Sequence, residues 1–351
     1  MRQRPGTTST ARGTLIACLF AAGATLAGLA GCGGSPGDVV LYCALDRQHA
    51  EPVVAAFTAA TGLRVEAYYD VEANKSVGLR RRLQEERERP VCDVFWNNEV
   101  VQTVLLAEDG MLAPYVSPDA ADIPAAWRDP GGRWTGFAAR GRVLIVNTDR
   151  MPDGLDRPNG SLDFLDPAHS DRCGMARPLT GTTAAHAGAW MATRGVDATF
   201  EHFAALRANR VRFAPGNAQV MRWVRAGELD FGFTDSDDCQ AALDEGFPVA
   251  MVIPDQGEQE DGLIVIPNTV SLVAGAPHPD AGRRLIDFLL DREVERLLAH
   301  GPSAQIPLRD NVPRPPHVLD LATLKLAPVD WHAAGVAYAR HVDRLETFFT
   351  H

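Results

Sequence analysis

The chain has 351 residues, of which 46% are hydrophobic and 23% are charged, and its formal net charge is −11. This composition is ordinary for a globular protein, and the length suggests about two domains. The negative charge argues against nucleic acid and anionic membrane surfaces as partners. Almost all of the positive charge is arginine, because lysine occurs only at Lys75 and Lys325.

The N-terminal residues have the features of an export signal. Three arginines accompany an apolar segment, 14–30, which is too short to span a membrane comfortably. Residues 29–32, Leu-Ala-Gly-Cys, resemble a bacterial lipobox, in which the peptide is cleaved before the cysteine and the cysteine is lipidated. We therefore expect a signal peptide over 1–31, lipidation of Cys32 and a flexible tether over 32–37. The alternative is an ordinary signal peptide with an incidental cysteine.

Four cysteines remain after this segment, at Cys43, Cys92, Cys173 and Cys239. Export permits disulfides, but all four lie in or beside predicted strands, where small buried thiols are common. Their spacing matches no metal-binding pattern such as CxxC. We predict mostly buried free thiols.

Strand and helix patterns alternate along the first third of the mature chain. This order predicts a mostly parallel sheet covered by helices on both faces. The strands are expected at 38–44, 63–69 and 92–96, and the helices at 51–61, 77–88 and 100–107.

A second α/β unit follows a long extended segment, 134–147, that has Arg140 and Arg142 in its middle. Another extended segment, 262–274, comes later. Strands are expected at 174–178, 211–214, 229–233 and 249–253, and helices from about 180, at 219–226, from 239, at 279–297 and at 334–348.

Two α/β units joined by two extended segments, near Phe137 and Pro267, predict two lobes with a double hinge. A cleft between such lobes is suited to trapping a small ligand. The expected boundaries are 38–138 plus 268–310 for the N-lobe and 139–267 plus 311–351 for the C-lobe.

An acidic turn, Thr234-Asp235-Ser236-Asp237-Asp238, follows the predicted strand 229–233. Capping of the next helix accounts for one or two of these side chains. Three adjacent carboxylates repel one another unless a cation or donor neutralises them. The turn is either a cap with a solvated acidic surface or a ligand site at the carboxyl end of a strand.

Five segments, taken in order behind the lipobox, resemble the solute-binding proteins of bacterial ABC importers, and more narrowly the periplasmic ferric-ion-binding family. They are LYCALDRQHAEPVVAAFTAATGLRV, CDVFWNNE, GFAARGRVLIVNTDRM, GNAQVMRWVRAGELDFGFTD and PNTVSLVAGAPHPDAGRRLIDFLLDREVERLLA. The resemblance implies a two-lobed α/β fold of the type II periplasmic-binding-protein kind. It also implies a monomeric, non-enzymatic protein that faces the periplasm or cell exterior and delivers a solute to ABC permease and ATPase subunits.

The family's metal ligands map onto different residue types here. Its histidine falls on Asp46, its acid on Asn98 with Glu99 adjacent, and its paired tyrosines on Asp237 and Asp238. Carboxylates are hard donors that suit ferric and other hard cations, and they equally suit an ammonium group. The resemblance therefore implies Asp46, Glu99, Asp237 and Asp238 as a metal set, with the ion as transported ligand and no certain cofactor.

The family's anion site maps more closely. Residues 180–183, Thr-Gly-Thr-Thr, stand at a helix start, where free N–H groups favour phosphate, phosphonate or carboxylate. Asn217 opens a second helix, and Arg140 could pair with an oxyanion. The alternatives are plain capping for 180–183 and an interlobe salt bridge for Arg140. The predicted ligand contacts are Asp46, Asn98, Glu99, Arg140, Thr180, Gly181, Thr182, Thr183, Asn217, Asp235, Asp237 and Asp238.

Three functions fit these features to different degrees. An importer component would bind ferric ion with a partner anion, or an organic molecule with anionic and cationic ends, such as an aminophosphonate. A sensor of the same fold would bind the same ligands. A hydrolase is disfavoured, because the chain has no GxSxG or HExxH motif, and His49 with Glu51 and Cys92 lacks the second cysteine of a zinc deaminase. We interpret Tyr68, Tyr69 and Trp96 as core or rim residues, and His186 as a helix-face residue.

Overall fold

The computed structural model describes residues 37–69, 77–154 and 157–350. The predicted signal peptide, Cys32 and most of the tether lie outside these ranges. Within them, no helix combines the length and hydrophobicity that crossing a membrane requires.

Strands and helices alternate in both halves of the described chain, as predicted. The strands are β1 Val39–Cys43, β2 Val65–Tyr69, β3 Val94–Asn97, β4 Leu112–Ala113, β5 Thr135–Asn147, β6 Cys173–Ala176, β7 Arg212–Ala214, β8 Phe231–Asp235, β9 Val249–Val252 and β10 Val265–Val273. The helices are α1 Arg47–Thr61, α2 Val77–Glu85, α3 Val101–Glu108, α4 Gly181–Thr193, α5 Val196–Ala208, α6 Asn217–Arg225, α7 Ser236–Asp244, α8 Pro279–Leu289, α9 Arg292–His300 and α10 Trp331–Thr350.

Two long antiparallel strands join two parallel units into one hydrogen-bonded sheet. The strand order is β2-β1-β3-β10-β5-β8-β6-β7, with β4 added to β10 and β9 added to β5. Strands β1, β2 and β3 pair in parallel, as do β6, β7 and β8. The prediction of two mostly parallel α/β lobes connected by two extended segments is confirmed.

The crossing of β5 and β10 carries an irregularity that marks the hinge. Both strands are buried along their whole length, because helices and loops cover them in each lobe. The register shifts between Pro267 and Asn268, and opposite this shift Ala138 has a positive φ of 41°. The side-chain Nδ2 of Asn268 donates to the carbonyls of Phe137 and Ala138, at 3.2 and 2.8 Å, so the bulged backbone keeps its partners.

Several helices differ from the sequence prediction. Helix α7 begins at Ser236 and not at Cys239, so Asp237 and Asp238 lie in its first turn and not in the preceding turn. Helix α1 begins at Arg47 and contains Pro52, whereas the prediction started it at Glu51. The single helix predicted over 279–297 is wrong, because Asp291 interrupts it and its side chain accepts from the N–H of Glu293 at 2.7 Å, starting α9. Helix α5 was not predicted. Its buried Phe200, Phe203 and Leu206, spaced by three, are the signal that would have indicated it.

The four cysteines of the described residues, Cys43, Cys92, Cys173 and Cys239, are buried and free, as predicted. Burial raises the pKa of the Cys239 thiol to about 12, which keeps it protonated and unreactive at neutral pH.

The close approach of β6 and β8 leaves no room for a side chain at Gly232. Gly232 pairs with Gly174, and a methyl group at position 232 would lie 2.7 Å from the Gly174 carbonyl and 2.4 Å from Val220. We expect Gly232→Ala to lower the free energy of unfolding by about 2 kcal/mol through overpacking. Urea denaturation measures the change. Gly154→Ala, whose methyl group meets none of the described residues within 4 Å, is the matched control. Equal losses in both variants would contradict the prediction.

Candidate functional site

A pocket between the two lobes collects all but one of the predicted contact residues. Its walls come from the N-terminal ends of α4, α6 and α7, from the residues preceding α1 and α3, and from β5. The cavity has a volume of about 110 Å³. The predicted residues that line it are Asp46, Asn98, Arg140, Thr180, Gly181, Thr182, Thr183, Asn217, Asp235, Asp237 and Asp238.

Four further residues line the pocket and were not among the predicted contacts. Pro215, Gly216 and Ala218 flank Asn217 in the helix opening, so the Pro-Gly-Asn turn was the available signal. Ala176 ends β6 and has no polar group that would single it out in the sequence.

The side chain of Asp235 is hydrogen-bonded to residues of three other elements of the site. Its Oδ1 accepts from Arg142 Nη1 at 2.5 Å, and its Oδ2 accepts from Thr182 Oγ1 at 2.6 Å and Asn217 Nδ2 at 3.0 Å. Although Asp235 precedes α7, its side chain makes no capping bond to that helix. The carboxylate therefore joins β8 to β5, α4 and α6, and it does not cap α7.

Arg142 connects this carboxylate to a buried histidine. The guanidinium is 1% exposed, and its Nε donates to His186 Nδ1 at 3.2 Å. Burial, followed by the charge of Arg142, lowers the pKa of His186 well below its usual value. The imidazole is thus neutral and serves as an acceptor behind the pocket, which agrees with its prediction as a helix-face residue.

Arg140 bridges the two lobes within the pocket. Its Nε donates to Asp237 Oδ2 at 2.6 Å on one side, and its Nη1 donates to the carbonyl of Asn98 at 2.9 Å on the other. Burial alone would lower the pKa of Arg140, but nearby carboxylates, Asp237 first, raise it above its ordinary value. The interlobe salt bridge considered for this residue is present, and the charged guanidinium still lines the cavity.

The helix N-termini that face the cavity present backbone donors. Thr180, Gly216 and Asp235 are the N-cap residues of α4, α6 and α7. The side chains of Thr180 and Asp235 make no capping bond, and Gly216 has no side chain to make one. The polar side chains of the walls are instead bonded to one another, since Thr183 Oγ1 donates to Asn217 Oδ1 at 3.0 Å. Uncapped first-turn N–H groups and helix dipoles favour an anion at this wall.

Three carboxylates of the pocket lie close together and favour a cation. Oxygens of Asp235, Asp237 and Asp238 lie within 4.8 Å of one another, a spacing that could hold a cation. Asp238 Oδ2 also accepts from Thr234 Oγ1 at 3.0 Å. Because Asp235 and Asp237 are paired with arginines, a metal ion here would compete with two guanidinium groups.

Glu99 lies outside the pocket, unlike its predicted neighbours. Its carboxylate accepts from the N–H groups of Val101 and Gln102, at 2.6 and 2.9 Å, and from Asn97 Nδ2 at 3.0 Å. Burial raises the pKa of Glu99 to about 7, although these donors favour the ionised form. The side chain thus caps α3, and the adjacent Asn98 supplies the pocket contact.

The aromatic residues near the strand ends belong to the core. Trp96 is fully buried against Phe137, with ring centroids 5.4 Å apart. Tyr68 packs edge-to-face on Tyr42 at 5.5 Å. Neither aromatic lines the pocket, which agrees with their interpretation as core or rim residues.

Comparison with known proteins identifies the family. The model of bacterial extracellular solute-binding proteins matches residues 93–332, and the chain belongs to that family. Iron-bound HitA of Pseudomonas aeruginosa has the same fold, with a TM-score of 0.80 at 22% identity, covering 90% of this chain and all of HitA. The fold is that of type II periplasmic binding proteins, as predicted.

Two curated relatives differ in the ligands for which they are named. The major ferric iron-binding protein of Neisseria meningitidis serogroup B is 23% identical over 315 residues, 88% of this chain and 91% of the relative. A putative 2-aminoethylphosphonate-binding periplasmic protein of Salmonella typhi is 25% identical over 296 residues, 82% of this chain and 84% of the relative. Both are binding proteins, in agreement with the expectation that the chain is not an enzyme.

The connections of Asp235 predict unequal losses of stability. Asp235→Ala leaves Arg142 buried without its counter-charge, and we expect it to lower the free energy of unfolding by about 4 kcal/mol. Asp237→Ala leaves Arg140 its bond to the Asn98 carbonyl, so we expect a loss of roughly 2 kcal/mol. Urea denaturation of the ligand-free proteins measures both. A loss for Asp235→Ala no larger than that for Asp237→Ala would contradict this ranking.

The raised pKa of Glu99 predicts a pH-dependent stability. Between pH 4.5 and 7 the native state keeps the proton on Glu99 while the unfolded state releases it, so this contribution to stability falls as the pH rises. The stability of the wild type relative to Glu99→Gln should therefore decline across this window, by at most about 1.4 kcal/mol per pH unit. Chemical denaturation at several pH values tests the slope. A pH-independent difference would refute the assignment.

Proposed function

We propose that this protein is the lipid-anchored, extracytoplasmic solute-binding component of an ABC importer. It traps a small ligand in the interlobe pocket and delivers it to the permease and ATPase subunits. Family membership supports the binding role, and the lipobox at 29–32 supports the anchor. The observation that carries the proposal is the pocket itself, where two lobes and a hinge strand contribute polar groups to one cavity.

The ligand carries an anionic group at the wall formed by α4 and α6. Uncapped N–H groups of both helices face the cavity, and Arg140 adds a guanidinium beside them. A phosphonate, phosphate or carboxylate would accept from these donors without displacing the internal bonds of Thr182 and Asn217.

The ligand also carries a positive charge. Among the described residues that line the cavity, four are aspartates, Asp46, Asp235, Asp237 and Asp238, and one is an arginine. Carboxylates crowded in a closed site are stabilised by a ligand that supplies a cation. An ammonium group provides that charge together with three hydrogen-bond donors.

The cavity limits the size of this ligand. Its volume is about 110 Å³, which is small for a ligand site. A phosphonate or carboxylate head on a short amine-bearing chain fits that volume. The favoured class is therefore a small zwitterion such as an aminophosphonate, the class for which the Salmonella typhi relative is named.

Ferric ion with a partner anion is the second candidate. The relative from Neisseria meningitidis and the HitA structure are both named for iron, and the Asp235, Asp237 and Asp238 cluster offers hard oxygen donors. The arginines paired with two of these carboxylates weigh against a bare metal ion, because a trivalent charge would lie beside two guanidinium groups.

A ligand panel tests this assignment by thermal unfolding. The panel contains 2-aminoethylphosphonate, phosphate, a sugar phosphate, calcium, manganese and ferric citrate. We expect 2-aminoethylphosphonate to stabilise the protein, by about 2.7 kcal/mol at a hundred times its dissociation constant. Arg140→Ala should abolish the shift, because it removes a cationic donor from the cavity.

Arg222→Ala is the matched control, since Arg222 is an exposed arginine on α6 that bonds to Gln219 outside the pocket. It should keep the full shift. A shift with ferric citrate alone, lost in a variant with both Asp237→Ala and Asp238→Ala, would replace the zwitterion with iron. No shift with any compound would overturn the ligand class.

A further inference from the structure

Helix α10 contacts elements on both sides of the pocket. Helix α10 packs against α3 in one lobe and against α4 in the other. The residue Asn98, three positions before α3, lines one wall, and residues 180–183 at the start of α4 line the other. One helix therefore contacts α3, which follows the pocket residue Asn98, and α4, whose N-terminal end lines the cavity.

Glycines bring these helices into close contact. A methyl group at Gly335 of α10 would lie 2.6 Å from Val104 Cγ1 of α3. A methyl group at Gly188 of α4 would lie 2.8 Å from the carbonyl of Ala334. Both distances are shorter than van der Waals contact, so the observed approach of α3 and α4 to α10 requires a residue without a side chain at positions 335 and 188.

Tyr338 links α10 to the turn that begins α4. The residue is 1% exposed, and its hydroxyl donates to the carbonyls of Leu179 at 3.1 Å and Pro178 at 3.3 Å. Those two residues directly precede Thr180, the first residue of the anion-facing wall. Burial, followed by the charge of Glu99, raises the pKa of Tyr338, so the phenol remains a donor throughout the physiological range.

We propose that Tyr338 is a positioning residue for the ligand pocket. Through its hydrogen bonds to residues 178 and 179 it fixes the orientation of the first turn of α4, and with it the direction of the backbone donors. Helix α10 transmits this constraint to α3 through Gly335. The effect on binding rests on the proposed function of the pocket, whereas the effect on α4 does not.

Hydrogen exchange of the ligand-free full chain tests the positioning role directly. Tyr338→Phe removes only the hydroxyl, and we expect the hydrogen-bonded amides of residues 184–187 to exchange about 3- to 10-fold faster. Tyr115→Phe is the matched control, because it removes a hydroxyl bonded to Asp287 at 2.8 Å on the far side of the N-lobe. Its exchange over 184–187 should be unchanged. Unchanged exchange in Tyr338→Phe, or equal acceleration in both variants, would overturn the proposal.

Calorimetric titration with 2-aminoethylphosphonate gives the second measurement. The dissociation constant should rise about 3- to 10-fold in Tyr338→Phe and stay constant in Tyr115→Phe. If the wild type does not bind this probe, the proposed ligand class fails, and the exchange result still decides the role of Tyr338. Unaltered affinity in Tyr338→Phe, with a wild type that binds, would contradict the link from Tyr338 to the pocket.

A rescue experiment tests the contact with α3. Gly335→Ala should accelerate exchange in the first hydrogen-bonded turn of α3, because the new methyl group meets Val104. Adding Val104→Gly removes both the Cγ1 and the Cβ that the methyl group meets, at 2.6 and 2.8 Å, and should return the exchange rate toward that of Val104→Gly alone. Failure of the second substitution to reverse the first would show that α10 does not act through this contact.

Discussion

The buried ion pair between Arg142 and Asp235 is the interaction on which the site depends. Their side chains are 1% and 8% exposed, and the pair joins the hinge strand β5 to the end of β8. Burying two charges carries a desolvation penalty that only close geometry and further hydrogen bonds offset. Thr182 and Asn217 supply those bonds, so the same carboxylate that neutralises Arg142 also fixes the starts of α4 and α6. The carboxylate that neutralises Arg142 in the hinge strand therefore also positions the wall where we propose that the anion binds.

This arrangement separates the positive and negative sides of the cavity. Thr182, Thr183 and Asn217 of the C-lobe wall are hydrogen-bonded to Asp235 or to one another, so the donors that remain at this wall for a ligand are chiefly backbone N–H groups and the Thr180 hydroxyl. Arg140 lies between the two sides, with one bond to the N-lobe backbone and one to Asp237. A ligand with opposite charges at its two ends complements such a cavity better than a single ion does. Closure of the lobes would remove water from both ends at once and strengthen both interactions.

The hydrophobic patterns of the sequence were sufficient to predict the two lobes and most of their elements, because strands and helices differ clearly in period. Most of the pocket residues were predicted from the resemblance to the ferric-ion-binding family, and their places after strands or at helix starts, where polar groups converge in such folds, agreed with it. Glu99 is the predicted contact residue that does not line the pocket. A carboxylate just before a helix can turn toward the ligand or toward the helix. Glu99 turns toward the helix in a buried site whose neighbours include residues distant in sequence, such as Thr269, which bonds to the Glu99 carbonyl, and Tyr338. The contact of Tyr338 with residues 178 and 179 spans about 160 positions and leaves no local signal.

The central claim is that the cavity selects a small ligand by both of its charges. Isothermal titration of the wild-type protein with 2-aminoethylphosphonate and with ethylphosphonate, which lacks only the amine, tests it most directly. An ammonium group bonded among carboxylates contributes up to about 3 kcal/mol, so the amine-bearing compound should bind roughly 100-fold more tightly. Equal affinities for the two compounds, or binding of ferric ion with neither compound bound, would contradict the account.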